Sequence, residues 1–213
     1  MRGAAAILAV GVLAGVTACG SGSAAVFHPA GSLASQPGRA APLPTSTAQR
    51  LDGFSFPAGV SIDFTSPAPA DPSRRAIVAG YQEYVLSMWA GVVSHGKNTV
   101  YAGQAVGNAL TFVRREVARY RGPARTVKGT IQYSGTRVTG VYLGTGASVI
   151  TCVDASAFHD INARTGAKVG PALPARPARY LEAVSEGRRG NGTWFVNRSV
   201  VYPASSTQGA MCR

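Results

Sequence analysis

At Gly122-Pro123 the spacing of apolar residues changes from about 3.6 to about two, and no other feature of the chain constrains its fold as strongly. Before that point, Asp71-Pro72 supplies a carboxylate N-cap and a proline at the first helical position. Ile77, Tyr81, Tyr84, Val85, Met88 and Val92 then recur on one helical face, with Trp89 and the tyrosines reading as core. Ser94 to Asn98 interrupts the pattern. A second amphipathic run follows at Val106, Ala109, Leu110, Val113, Val117 and Tyr120, and Gly122-Pro123 ends it. Beyond it, Val127, Gly129, Ile131 and Tyr133 alternate with polar neighbours as in a half-buried strand. Val138 to Leu143 and Ser148 to Val153 read as a hairpin across Gly144-Thr145-Gly146, and Ala163 to Gly166 reads as a turn. Arg179 to Glu186 and Thr193 to Tyr202 form a last pair across Gly190-Asn191-Gly192, with Trp194, Val196, Val200 and Tyr202 as the apolar face. Helices followed by consecutive antiparallel strands predict an α+β fold, with N-terminal helices packed on a curved antiparallel sheet.

The N-terminal fifth of the chain has a different character. Arg2 precedes an apolar stretch from Ala4 to Val16, the length of a secretory signal and short of the roughly 20 residues of a membrane span. Val16-Thr17-Ala18-Cys19, followed by Gly20, resembles the lipobox of bacterial lipoproteins, in which the cysteine is acylated. Ordinary secretion would instead leave Cys19 as a free thiol or remove it. Each buried acyl CH₂ adds about 0.8 kcal/mol of membrane affinity, so several chains hold firmly. The expected organisation is a signal peptide over 1–18 and a lipid-anchored, disordered Ser/Pro/Gly/Ala-rich tether over 19–55. A short strand and proline-rich turn over 56–70 lead to the α+β domain over 71–213. The expected location is the extracytoplasmic face of a cell membrane.

Cys152 and Cys212 remain after Cys19, an even pair in an oxidising compartment. A bridge between them closes a loop of about 60 residues and ties down the C-terminal tail. No C-x-x-C or clustered histidine accompanies them, so neither a metal nor a cofactor is expected. The formal charge is +12, and loss of Arg2 with the signal leaves about +11. The arginines are scattered and no nucleic-acid motif is present, so anionic headgroups or wall polymers suit this charge better than nucleic acid. An ordinary solvated basic surface is the preferred account of it.

Several features together resemble NTF2-like lipoproteins and secreted proteins of high-GC Gram-positive, actinobacterial type. They are the lipobox, the Ser/Pro linker, Phe56 to Val60 and the Asp71-Pro72 helix start, with Cys152-Val153-Asp154, Asp160 to Lys168 and Cys212. The resemblance implies a cone-shaped NTF2-like α+β fold and an extracytoplasmic compartment, and no particular activity. Ketosteroid-isomerase and polyketide-cyclase relatives hold an Asp or His inside the cone as general base, which makes Asp154, His159 and Asp160 the catalytic candidates here. Against that, Asp154 suits a turn cap at a strand exit, and alternation sends it to the same side as Cys152. No G-x-S-x-G, P-loop or H-E-x-x-H motif occurs. The sequence therefore favours a non-enzymatic binding or interaction module for a protein partner or small apolar ligand. An isomerase-type enzyme and an accessory subunit of a membrane transport or cell-wall assembly are the alternatives.

Overall fold

Alternating residues in Val60–Phe64 form a first strand, β1, and Asp71 then caps the helix α1, Pro72–Val93, by accepting a hydrogen bond from the Arg74 amide at 2.8 Å. The computed structural model describes residues 53–170 and 177–213. The expectations for residues 1–52, Cys19 among them, lie outside these. A short helix α2, Tyr101–Gln104, separates α1 from α3, Gly107–Ala118. The strands β2 (Arg125–Tyr142), β3 (Gly146–Asp154), β4 (Phe158–Asn162), β5 (Arg179–Arg188) and β6 (Trp194–Pro203) follow, and a single 3-10 turn, Ala210–Cys212, ends the chain. The fold is α+β.

The sheet is mixed, which corrects the expectation of an antiparallel one. Its order is β1-β2-β3-β5-β6, with β4 paired to β2. Most neighbours are antiparallel, but β1 runs parallel to β2, with Val60 opposite Gly129 and Phe64 opposite Tyr133. Parallel neighbours need a long crossover, and all three helices form it here. The strands predicted at 127–133 and 138–143 are one strand, β2. Its pairing with β3 shifts between Ser134 and Arg137 and again between Val138 and Gly140, so two extra residues bulge out of the ladder. Gly135, at φ +61°, supplies the left-handed backbone conformation in the first of these irregularities. Such bulges bend a long strand without ending it.

A third irregularity, between Ser185 and Glu186 in the β5–β6 register, reverses which β6 residues face the helices. Trp194 and Val196 are buried in the core, as expected from their alternation. Beyond the shift it is Val201 that packs against that core, and Val200 and Tyr202 fall on the other side. Helix α1 is the centre of the core: nearly every residue from Tyr84 to Val92 is buried. It packs on the sheet and against α2 and α3, so this half is enclosed all round where the sequence pattern suggested a single apolar face. On the opposite face of the sheet, Cys152 of β3 is bonded to Cys212, with 5.3 Å between their Cα atoms. The expected disulfide is present.

Candidate functional site

The C-terminal halves of α1 and α3, the start of β2 and the β3–β4 connection enclose a cleft of about 280 Å³. Trp89, Ile131 and Phe158 form its apolar wall. The Trp89 and Phe158 rings meet edge to face at 4.8 Å, and the Trp89 indole N–H donates to the Tyr133 hydroxyl at 3.0 Å. These contacts fix the wall's shape.

The polar side of the cleft comes from Glu116, Arg119, Tyr120, His159, Asp160 and Lys168. Both carboxylates are engaged. Asp160 accepts the Tyr120 hydroxyl at 2.6 Å and pairs with Arg125 at 3.3 Å. Glu116, buried on the inner side of α3, pairs with Arg119 one turn on at 3.1 Å. The backbone carbonyl of Tyr120 lies 2.7 Å from His95 Nδ1, which anchors the end of α3. Lys168 forms no ion pair among the described residues and leaves a free cation at the rim.

The structure separates the three catalytic candidates. His159 and Asp160 line the cleft. Asp154 does not: alternation along β3 turns it to the face that carries Cys152, where its carboxylate pairs with Arg179 at 2.8 Å and accepts the Ser156 amide at 2.9 Å. Hydrogen bonding from Ser156, and then from Arg179, holds its carboxyl below the ordinary carboxylate range against a smaller opposing effect of burial. It is the turn cap that its position at the strand exit suggested, and it lies outside the cleft.

The sequence assigns no site role to Glu116, Arg119, Tyr120 or Lys168, all of which line the cleft. A signal for Glu116 was available, because it falls in phase with Ala109, Val113 and Tyr120 on the buried stripe of α3. The sequence likewise assigns no role to two core acids. Tyr180, Glu182, Val184 and Glu186 alternate on the core-facing side of β5. Glu182 accepts the Tyr81 and Ser199 hydroxyls, each at 2.8 Å, and burial together with that carboxylate raises the Tyr81 phenol well above its ordinary value. Glu186 is 2% exposed and neither of its oxygens has a hydrogen-bond partner. Burial pushes its carboxyl well above the ordinary glutamate range. Gly80 of α1 leaves the space beside it, since a Cβ there would lie 3.3 Å from the Glu186 carboxylate and closer still to Trp194.

Among the described residues, no group of three or more His, Cys, Asp or Glu could hold a metal ion, and no helix is long and apolar enough to cross a membrane. No family model and no curated protein matches the chain. Among solved structures, the intermembrane space region of the chloroplast protein ARC6 is similar over 60% of this chain and 92% of its own, at 12% identity and a TM-score of 0.40. A likeness that distant carries no functional argument.

Proposed function

We propose that the chain is an exported protein, held by lipid on Cys19 at the outer face of a cell membrane. Its NTF2-like domain binds a small, largely apolar ligand in the cleft without converting it chemically. The observation that supports binding over catalysis is the commitment of the acids. Asp160 is held by Tyr120 and Arg125, Glu116 by Arg119, and Asp154 by Arg179 outside the cleft. A general base needs a lone pair free to take the substrate's proton. The Trp89–Phe158 wall offers an apolar ligand the surface that such sites use. Titration with the uncharged apolar dye N-phenyl-1-naphthylamine should show one saturable site, and Ala155→Trp, which places a large ring in the cleft lining, should weaken it at least tenfold. Unaltered dye affinity in that variant would refute the cleft as the binding site.

A second reading rests on His159, one of the residues that line the cleft. In an isomerase of the ketosteroid type this imidazole would be the general base. Isomerisation of a β,γ-unsaturated ketone that is lost in His159→Ala would establish that reading, and an equal rate in the two proteins would exclude it.

A further inference from the structure

The β2–β3 hairpin ends in the largest run of exposed apolar side chains among the described residues. Val141 and Tyr142 are more than two-fifths exposed, and Leu143, at the apex, is 99% exposed. Leu143 also has φ +49°, in the left-handed region where a branched, apolar residue is uncommon. The leucine therefore carries backbone strain and packs on nothing within the fold. The tight turn between β2 and β3 imposes this conformation on Leu143 and Gly144 alike, but it does not call for a leucine there.

The tip is rigid. The Thr145 amide donates to the Tyr142 carbonyl at 3.0 Å, and the Arg188 amide to the Thr145 carbonyl at 2.8 Å, which ties the turn to the end of β5. The Tyr142 ring lies over Gly140, whose missing side chain makes room for it. A stiff projection loses little conformational freedom on docking.

Among the described residues, the charge around the tip is mostly positive. Arg188 and Arg189 follow at the end of β5. Helix α1 begins at this same end, since its Gly80 lies against Glu186 and Trp194 whereas Trp89 lies against Tyr133 and Phe158. Its first turn carries Arg74 and Arg75. None of these four arginines forms an ion pair among the described residues, although Arg75, Arg188 and Arg189 each donate to a backbone carbonyl. Among the described residues, the acids at this end are Asp71, which caps α1, and Glu186, which is buried.

We infer that the hairpin tip is a membrane-contact device: Leu143, with Val141 and Tyr142, enters the interface of an anionic lipid surface while the flanking arginines meet its headgroups. An apolar apex and an amphipathic tyrosine, ringed by cations, match a bilayer whose apolar interior lies beneath a negatively charged surface. A protein with a pocket for the apex is the competing occupant, and protein-free vesicles tell the two apart. The inference rests on the membrane-proximal reading above, because only there does the domain meet such a surface.

The test uses the mature chain with Cys19→Ala, so that no lipid anchor contributes. It is floated with vesicles of phosphatidylglycerol and phosphatidylethanolamine, and with phosphatidylcholine alone. Binding is expected to the anionic vesicles, at least tenfold above that to phosphatidylcholine, and to weaken as salt shortens the Debye length from about 10 to about 3 Å. Leu143→Asn, which tolerates the left-handed backbone, should leave thermal stability equal or higher and reduce binding at least tenfold. Absence of binding to anionic vesicles, or equal binding by Leu143→Asn, overturns the inference. So does binding to native membranes without binding to protein-free vesicles, which would make the partner a protein. Failure of the lipid anchor is read separately, from retention of the unsubstituted chain in cells.

Discussion

Glu182 and Glu186 stand four positions apart on the core-facing side of β5, in phase with Tyr180 and Val184, yet their surroundings differ. Glu182 has two hydroxyl donors, whereas Glu186 has none and burial holds it toward the neutral acid. An acid whose folded pKa lies above its unfolded value binds more protons in the folded state. Its contribution to stability is therefore full below the unfolded pKa of about 4.3 and is lost as pH rises toward the folded one. Urea denaturation should show stability declining as pH is raised above about 5, and Glu186→Gln should flatten that decline. An unchanged pH slope in the variant would mean that other groups cause it. The alternation that places both glutamates inward was visible in the sequence, but the partners that distinguish them were not. Tyr81 and Ser199 lie 101 and 17 residues from Glu182, and only folding brings them together. The same applies to Asp160, whose partner Tyr120 is 40 residues away.

Among the elements, long periodic segments were legible and their pairings were only partly so. The Asp71 cap, α1, α3 and both major hairpins follow from local spacing and turn chemistry. The parallel partner of β1 does not, because β1 and β2 are separated by three helices and a parallel pairing leaves no turn signal. Strand β4 was read only through its following turn, since Phe158-His159-Asp160-Ile161-Asn162 is short and largely polar. Each bulge also shifts the side-chain phase by one, which is why Val201 replaced Val200 and Tyr202 on the core side of β6. The disulfide joins β3 to the C-terminal turn across 60 residues of chain. On the chain-entropy relation, Cys212→Ser should lower the unfolding free energy by roughly 4 kcal/mol, as measured by denaturant titration. A loss under about 1 kcal/mol would mean that packing of the last turn alone holds the C-terminus.

For the whole molecule, charge and the expected anchor point the same way. The formal charge of about +11 expected for the mature chain would draw it toward an anionic surface at low ionic strength, and lipid on Cys19 would keep it there when salt screens that attraction. Cys19→Ala should therefore move the mature protein from the membrane fraction to the soluble fraction at physiological salt. Equal membrane retention of the two forms would refute lipid anchoring. The sequence by itself determined the α+β class, the two long helices, the hairpins and the cysteine pair, because those depend on periodicity, caps and turns that act within a few residues. The expectation of a lipobox at Cys19 rests on the same kind of local information. Only the tertiary structure decided that the sheet is mixed, that Asp154 leaves the cleft while Glu116 and Asp160 line it, and that Glu186 is buried without a partner. These outcomes depend on crossover connections, strand register and bulges, which bring together residues far apart in the chain and leave no trace in local spacing.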